Sequence, residues 1–578
     1  MASPQVDPVL RNTLRYTISA REYATLHKYF LSRSKALRRA VPSPASVDKA
    51  LQPQPQQQHR RGGRGDDYNA RAVRHALRVF LATLAGMKGW EAVARRLRGG
   101  GGKRARSPSS LSSGSGSGAG FPALRLSTSL SGILLLYRFL FRFLTRLRVH
   151  LLDAQAEPFR VRNPRTAAAL TSPFAPAVGA SLAGFALGMC PAEKKQQLRV
   201  SIALFALFRA LEFSWDLCEA EGLVWGFVTT SSGGGGGGLG SGSGGKKREK
   251  REMRARPWWF GSWLLQPLAF GQLLHAVVFD RDCFPASYGR FIFSHSAGYL
   301  HAAPEAWSAP SAWPSTSAVV DSLAQMARMQ WPAYVSPTMF PHKQQHQHGL
   351  LPPAIQAVAP LTAQAHPLIT SLSCATLHPS DPSCSRTLLT FWLNAFPRLA
   401  RFFLALYAGL ALVLSPRQLL PSLYHAPLST LTGILSRALR SSVFATGAIA
   451  TAWSSLCFFQ SYFPRRLLPT QRFFLGGFLA GLWASILDRR HGRPIFLSSA
   501  RTSLHSLWRV GLKRRWWRAV WAGDVAVFVV ALMLMGVAYE RDASAAVRDR
   551  QWRKGISWLR GEGWRDWGTE EVEDDKRD

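Results

Sequence analysis

Long apolar runs bounded by basic clusters constrain this 578-residue chain more than any other feature. Pro257–Phe279 and Ser441–Pro464 contain no Asp, Glu, Lys or Arg, and Ala519–Tyr539 contains only Asp524. Each run is long enough for an α-helix to cross a bilayer core, which takes roughly 20 residues. Because lipid offers no partners to backbone polar groups, such runs must be helical. The sequence therefore predicts an all-α, multi-span integral membrane protein.

Weaker apolar segments lie around these runs. Phe174–Cys190 is just long enough to cross, and Thr387–Leu414 is either a span kinked at Pro397 or a half-buried helix. Arg209 and Asp524 are ionisable groups within apolar segments, so they are candidates for functional residues. Both lie near segment ends, where solvation is the alternative.

Arg138, Arg142 and Arg146 interrupt the apolar segment Leu130–Val149 at intervals of four residues. This spacing puts them on one face of a helix. A charged stripe in lipid is costly, so the face must meet water, lipid headgroups or protein. We interpret the segment as an interfacial helix, with a functional arginine-lined polar face as the alternative.

The charge balance indicates the kind of surface that the chain meets. The net charge is +39, from 72 Lys and Arg against 33 Asp and Glu. Such a charge fits nucleic acid or anionic membranes. Because the basic residues cluster beside the apolar runs, we expect the lipid bilayer and anionic headgroups as partners, and no nucleic acid.

The compartment is predicted from what the sequence lacks. The six cysteines are too sparse for a disulfide scaffold, and no Asn-x-Ser/Thr acceptor occurs. The first residues contain no short apolar core of the secretory type. We therefore expect an intracellular organelle membrane rather than the plasma membrane, and these features leave the organelle itself open.

Two glycine motifs recur far apart in the chain. Gly179 to Gly184 and Gly476 to Gly481 both read Gly-x-x-Leu-Ala-Gly, with Gly477 beside the second. Small residues let membrane helices approach closely, so we assign these glycines to helix packing. A second pair of similar blocks precedes the motifs at nearly the same separation, which predicts two related helical modules. The blocks are Ser131–Leu134 and Thr432–Leu435.

Composition shifts divide the chain into six parts. Gly/Ser-rich or Pro/Gln-rich stretches, including Pro42–Gln58, are expected to be disordered linkers. Ala70–Leu97 is expected to be an amphipathic helix, and the His-rich tract 342–348 is read as low complexity. The parts are N-terminal amphipathic helices with a low-complexity linker (1–120), a first glycine-motif module (125–225), a Gly/Ser and basic linker (226–256), a middle membrane region with a long irregular insertion (257–425), a second glycine-motif module (428–540) and a charged tail (541–578).

Cys374, His378 and Cys384 form Cys-x3-His-x5-Cys. Sulfur and imidazole are zinc ligands, but a structural site needs a fourth ligand and no second pair is apparent. We expect a local turn shaped by Pro379 and Pro382, and therefore no metal. A metal site, a reversible disulfide, or a thiol or zinc enzyme is the alternative.

Signatures of catalysis are absent from the sequence. Gly-x-Ser-x-Gly, His-Glu-x-x-His and the Walker phosphate loop do not occur. Gly-x-Gly-x-x-Gly occurs only within the Gly/Ser run Gly233–Gly245, where glycine patterns match trivially. We therefore expect no enzyme activity and no cofactor.

Several stretches resemble the transmembrane protein 135 family as represented in fungi. They are Gln272–Ile292, Cys374–Pro379 with Pro382–Cys384, and Phe473–Gly481 with Asp488–Arg490. The resemblance implies a multi-span protein of peroxisomal or mitochondrial membranes that is linked to lipid handling, and it implies no catalytic residues. The family's glycine modules are similar to those of mitochondrial inner-membrane translocase channel subunits. The basic doublet after the first motif is Lys194-Lys195 here, a mild departure from Arg489-Arg490 in the second.

These observations lead to one functional expectation and one alternative. The expectation is a non-enzymatic organellar membrane protein that acts in lipid or metabolite movement, or in organelle organisation. The alternative is a channel-like or translocase-like pore built from the two modules. Other membrane proteins, or further copies of this chain, are expected partners.

Overall fold

The computed structural model describes most of the chain outside the predicted linkers. Predicted linkers at 100–120 and 231–245, the tract 342–348 and the pair Lys194-Lys195 lie outside the described residues. The described residues are 16–29, 32, 43–51, 68–99, 121–190, 198–229, 251–254, 256–302, 313–336, 339–340, 351–414, 421, 424–487 and 489–566.

The fold separates into two compact units. One comprises Met1–Ala255 with Val520–Asp578, and the other comprises Arg256–Ala519. The predicted module 428–540 crosses this division, because the helix that begins at Gly523 packs within the first unit. Each unit is described by itself below.

The elements of the first unit before residue 256 are helical except for one short ladder. Helix α2 lies within Pro42–Gln58, so the prediction of disorder there is wrong for those residues. The elements are α1 (Ala20–Tyr29), α2 (Pro44–Leu51), α3 (Tyr68–Gly99), α4 (Phe121–Leu152), a 3-10 turn (Ala154–Ala156), α5 (Glu157–Arg162), α6 (Pro164–Thr171), α7 (Ala175–Ser181) with a 3-10 continuation (Leu182–Met189), α8 (Leu198–Ala220), β1 (Phe227–Thr229) and β2 (Arg251–Met253).

Within the described residues, the regular elements of the second unit are helices and helical turns, apart from one isolated β-bridge between Ala333 and Ser371. They are a 3-10 turn (Ser262–Leu264), α9 (Leu265–Phe279), a 3-10 turn (Arg281–Cys283), α10 (Ala286–Ser294), α11 (Thr316–Arg328), α12 (Pro353–Gln356), α13 (Ala359–Thr362), α14 (Leu372–Leu377), α15 (Cys384–Leu414), α16 (Pro427–Tyr462), α17 (Arg472–Gly481) with a 3-10 continuation (Leu482–Ile486) and α18 (Arg489–Lys513). The first unit then ends with α19 (Gly523–Arg541), α20 (Ala543–Ala546) and α21 (Arg550–Arg560).

Strands β1 and β2 are an exception to the all-α prediction. They pair antiparallel, with Phe227 opposite Met253. The ladder is only three residues long and leaves the helical class unchanged. It joins the two ends of the predicted Gly/Ser linker, which periodicity alone could not reveal.

In the first unit, α7 packs against α4 and α19, and α8 packs against α19. A β-carbon at Gly179 would collide with Leu144 of α4. One at Gly184 would lie 3.0 Å from Val529 of α19. Fully buried residues such as Leu187 fill the space between these helices. The small residues of α7 therefore allow two neighbours to approach it closely.

In the second unit, α17 lies between α9 and α16. A β-carbon at Gly477 would collide with the Phe270 carbonyl oxygen, and one at Gly481 with the backbone of Pro267. Gly476 faces α16 instead, where a β-carbon would collide with Ser455. Gly477 and Gly481 thus bring α17 into backbone contact with α9, and Gly476 brings it close to α16.

Five helices within the described residues are long and apolar enough to cross a membrane, and a sixth span is obtained if one bent pair counts as a span. The bent pair joins α6 to α7 with its continuation at 86°. The prediction of several helices that are long and apolar enough to cross a membrane is therefore confirmed. The five are Ala123–Leu152, Ser262–Phe279, Cys384–Val413, Pro427–Tyr462 and Gly523–Arg541.

Helix α15 contains the predicted segment Thr387–Leu414, for which the sequence left two interpretations, a kinked span or a half-buried helix. It is one helix with Pro397 inside it, and only 6% of its most apolar window is buried. Large side chains such as Leu393 and Val413 are exposed along it. So much exposed apolar surface fits a lipid-facing span and not a half-buried helix.

Candidate metal centre and apolar cavity

Four soft donor atoms converge in the second unit. The Cys374 sulfur lies 3.9 Å from the Cys384 sulfur and 3.8 Å from the Cys457 sulfur. The His378 Nε2 atom lies 3.4 Å from the sulfurs of both Cys384 and Cys457. All four donor atoms lie within 4.8 Å of one another. The structure therefore unites the three predicted candidates with a fourth, Cys457, which the spacing analysis missed.

Hydrogen bonds of the helix ends and of the turn between them position Cys374, His378 and Cys384. Cys374 and His378 are four residues apart, on the same side of α14 and its C-cap, where the His378 N–H donates to the Cys374 carbonyl at 2.8 Å. The Asp381 carboxylate accepts from the Ser383 N–H at 2.9 Å. Ser383 then caps α15 by accepting from the Arg386 N–H at 3.4 Å. The capped helix begins at Cys384, which fixes its sulfur beside His378.

Cys457 comes from the far end of the next long helix. It lies in the last turns of α16, whose final residue is Tyr462, whereas Cys384 is the first residue of α15. Because α15 and α16 pack together and the Cys384 and Cys457 sulfurs lie within 4.8 Å of each other, the start of one helix and the end of the other lie side by side. Both cysteines therefore lie at the same end of two candidate spans.

The imidazole of His378 is held in one orientation. Its Nδ1 lies 2.7 Å from the Asp381 carbonyl oxygen, which can only accept, so Nδ1 carries a proton and Nε2 faces the sulfurs. The His301 Nε2–H donates to the Leu377 carbonyl at 3.1 Å, directly before His378. Burial opposes a charged His378 imidazole, but hydrogen bonds with the Cys374 and Cys384 sulfurs outweigh it and raise the pKa of His378 to about 10.

Tyr299 is a buried polar residue close enough to the Cys457 and Cys384 sulfurs to interact with them electrostatically. Its hydroxyl is buried and has no hydrogen-bond partner among the described residues. Its ring lies against Phe391 and Trp453, with centroids 5.3 and 6.1 Å apart. Burial, together with the nearby Cys457 and Cys384 sulfurs, raises the pKa of Tyr299. The surroundings of the four donors are therefore aromatic and dry.

A cavity of about 480 Å³ occupies the same unit. Its walls come from seven helices, α9, α10, α11, α15, α16, α17 and α18, and are almost entirely apolar. Pockets of this size and character hold small molecules that are largely hydrophobic. Representative lining residues are Phe270, Leu274, Phe291, Phe402, Phe444 and Ala448.

The cavity has one polar corner. Gln266 donates through Nε2 to the Ser499 hydroxyl at 3.1 Å, and the Tyr288 hydroxyl lies 3.3 Å from the same oxygen. The Gln266 amide oxygen is buried and has no partner among the described residues. Leaving such an acceptor unpaired costs about 1–3 kcal/mol, so a hydrogen-bond donor that reached the Gln266 oxygen would be stabilised there.

The structure buries the first arginine of the α4 stripe against protein and leaves the last one exposed. Arg138 is 1% exposed and donates to the carbonyls of Trp558 and Leu559 in the last turn of α21. Its guanidinium lies 4.8 Å from the Trp558 ring centroid. Cations at a helix C-terminus satisfy free carbonyls and complement the helix dipole. Arg142 lies 4.3 Å from the Tyr68 ring centroid, while Arg146 is exposed.

His75 of α3 adds a pH-dependent element to this contact. Its Nδ1 faces the Arg138 guanidinium, and its ring stacks on Trp558 with centroids 5.4 Å apart. Burial, followed by the Arg138 charge, lowers the pKa of His75 to about 4. In the unfolded chain the pKa of histidine is about 6.5. The neutral His75 ring therefore makes its full contribution to folding stability above pH 6.5, and this contribution is lost as the pH falls toward 4.

We therefore expect the first unit to lose up to about 2 kcal/mol of stability between pH 7.5 and pH 5 through His75. The measurement is thermal unfolding of the full chain in detergent at both pH values. In His75→Gln, the amide oxygen still accepts from Arg138 but does not titrate. That variant should show a smaller acid shift than wild type, and equal shifts would contradict the prediction.

The two ionisable residues singled out in apolar segments have partners. Asp524 of α19 accepts two hydrogen bonds from the Arg199 guanidinium of α8, one of them at 3.0 Å. Arg209 pairs with Glu212 at 2.6 Å and lies 4.9 Å from the Trp552 ring centroid. The sequence singled out Asp524 and Arg209 but did not identify these partners.

Comparison of the sequence with protein-family models gave no match. Comparisons with curated proteins and with solved structures gave no match either.

Proposed function

We propose that this chain is a non-enzymatic, multi-pass membrane protein that takes a single-chain amphipathic lipid into the cavity of its second unit. The observation that carries the proposal is the apolar cavity with its one unsatisfied acceptor, the Gln266 amide oxygen. An acyl chain matches the walls, and a hydroxyl or protonated carboxyl group matches the corner. Lipid movement or lipid sensing within an organelle membrane is the function that this chemistry supports.

The position of the cavity beside α15 supports a route from the bilayer. Phe402 of α15 lines the cavity and contacts Phe291 of α10, with ring centroids 5.8 Å apart. Phe402 is also 43% exposed, on the candidate span with the least buried surface. A lipid chain in the membrane would therefore reach the cavity by passing Phe402.

The two-module organisation and the family resemblance are parts of the same proposal. In the first unit, α4 packs on the glycine-bearing α7, and α19 packs on both α7 and α8. In the second unit, α16 packs on the glycine-bearing α17, and α9 packs on both α17 and α18. The two arrangements correspond helix by helix, except that α9 precedes its module in the chain and α19 follows. This correspondence supports duplication, and with the resemblance it supports a peroxisomal or mitochondrial membrane.

A cavity-blocking substitution tests the lipid site. Ala448 is buried and lines the cavity, so we expect Ala448→Trp to weaken binding of a pyrene-labelled long-chain alcohol at least about tenfold, or about 1.4 kcal/mol. Binding is measured by energy transfer from protein tryptophan to pyrene in detergent. Ala405→Trp, at an exposed position of α15, is the matched control and should bind as wild type does. Equal affinities for wild type and Ala448→Trp would refute the cavity as the binding site.

The head-group preference is tested separately. Gln266→Leu removes the unsatisfied acceptor and should therefore weaken binding of the labelled alcohol more than binding of the corresponding labelled alkane.

A pore is the alternative function, since Arg142 is only partly buried and Arg146 is exposed. Ion flux in reconstituted liposomes that disappears in Arg142→Met/Arg146→Met, with normal affinity in Ala448→Trp, would favour the pore over the lipid site.

A further inference from the structure

We propose that Cys374, His378, Cys384 and Cys457 bind one Zn²⁺ ion. Zinc forms bonds of about 2.3 Å to sulfur and about 2.0–2.1 Å to imidazole nitrogen in tetrahedral sites. A tetrahedron with these bonds puts sulfurs about 3.8 Å apart and a sulfur and nitrogen about 3.6 Å apart. The observed separations are 3.8 and 3.9 Å between sulfurs and 3.4 Å from sulfur to Nε2. The four donors therefore already define a pocket for one ion.

The donor set and its surroundings select zinc among common ions. Three sulfurs and one imidazole are soft ligands, whereas Mg²⁺ and Ca²⁺ require oxygen. Tetrahedral arrangements of sulfur with nitrogen are typical of zinc. The second shell is also present, because His378 Nδ1–H donates to the Asp381 carbonyl and so directs Nε2 toward the sulfurs.

A disulfide does not account for the cluster. A sulfur–sulfur bond is about 2.05 Å long, whereas all three cysteines are free and the Cys374 sulfur lies 3.9 and 3.8 Å from the sulfurs of Cys384 and Cys457. A disulfide between any two would also leave the third sulfur and the oriented imidazole without a role. One cation satisfies all four groups at once.

Because all four positions are protein ligands, the site is closed and its role is structural. The ion joins the turn after α14 to the first residue of α15 and to the end of α16. It therefore fixes two candidate spans to each other at one membrane face. This inference replaces the expectation of a simple turn at Cys374–Cys384, and it does not depend on whether the cavity binds lipid.

Metal content of the purified full chain is the first test. Protein purified in detergent without chelator should contain about one zinc ion per chain by inductively coupled plasma mass spectrometry. Cys457→Ser should lower the content to less than about a tenth of an ion per chain. Cys283→Ser is the matched control, because Cys283 is also buried in this unit but packs with Ala276 and Val510. That control should retain full zinc.

A second pair of variants keeps the test valid if Cys457→Ser does not fold. His378→Cys preserves four soft donors and should retain the metal, whereas His378→Ala should not. Cobalt exchanged into wild type should give thiolate-to-cobalt charge-transfer bands and the intense visible bands of tetrahedral Co²⁺, and Cys384→Ser should weaken the charge-transfer bands. Monodisperse wild type without stoichiometric zinc, stoichiometric iron in its place, or a Cys374–Cys457 disulfide in non-reduced peptides would overturn the proposal.

Discussion

Replacing Gly477 with leucine will prevent α17 from packing against α9. A β-carbon at Gly477 would already collide with the carbonyl of Phe270 and would lie 2.9 Å from Cα of Gly271. These are backbone atoms, so no side-chain rotation relieves the clash. Overpacked cores lose typically about 1–3 kcal/mol, and a clash between two backbones should reach or exceed that range. We expect Gly477→Leu to lose the monodisperse peak in detergent size-exclusion chromatography.

Gly433→Leu provides the matched control for that substitution. Gly433 lies in α16, also a candidate span, and among the described residues no side chain and no other helix lies within 4 Å of the position that its β-carbon would take. The same change in size and hydrophobicity should therefore leave the elution profile and thermal stability close to wild type. If Gly477→Leu and Gly433→Leu behaved alike, close packing of α17 on α9 would be wrong.

Replacing Asp524 with leucine should destabilise the first unit by about 3 kcal/mol. Its carboxylate and the Arg199 guanidinium form a two-bond pair between α19 and α8, with side chains only 13% and 16% exposed. Removing one member leaves a largely buried charge without its partner, and such a charge is more costly in or near lipid than in water. Thermal unfolding in detergent measures the effect.

The double variant separates pairing from packing. Arg199→Met combined with Asp524→Leu removes both charges and should recover most of the lost stability. The half-exposed pair Arg281–Asp321 is the control, since Asp321→Leu should cost less than about 1 kcal/mol. A double variant that is less stable than Asp524→Leu alone would show that the charge pair does not account for the loss.

The glycine motifs illustrate what the sequence could predict. Spans follow from length and absence of charge, which are local properties, and small residues on an apolar helix predict close approach whatever the partner. The sequence could not say which helix each glycine faces, because Gly476 and Gly477 are adjacent yet face α16 and α9 respectively. That division depends on the angle at which three helices meet.

The candidate metal centre was only partly predictable. The local spacing identified Cys374, His378 and Cys384, but Cys457 lies far along the chain in a charge-free run where a cysteine is unremarkable among apolar residues. One usable signal existed: Cys384 begins one apolar segment and Cys457 lies near the end of the next. In an antiparallel pair of spans these positions meet. The cavity left no such signal, because it is the space left unfilled where seven helices pack together.

For the arginine stripe of α4, the sequence predicts the helix face but not the partners. Helical periodicity correctly places Arg138, Arg142 and Arg146 on one side of α4, and the cost of charge in lipid requires partners for them. The main partner of Arg138 is the C-terminal turn of α21, in the segment that composition alone marks as a charged tail. Long-range contacts of this kind follow from the assembled fold and not from any local pattern.

Membrane extraction tests the central claim, that the chain is an integral membrane protein, most directly. Membranes from cells that express the full chain are treated with alkaline carbonate and then floated on a density gradient, which separates integral proteins from both peripheral proteins and aggregates. The account predicts that the protein remains in the floating lipid fraction. Release of the protein into the carbonate supernatant would contradict it.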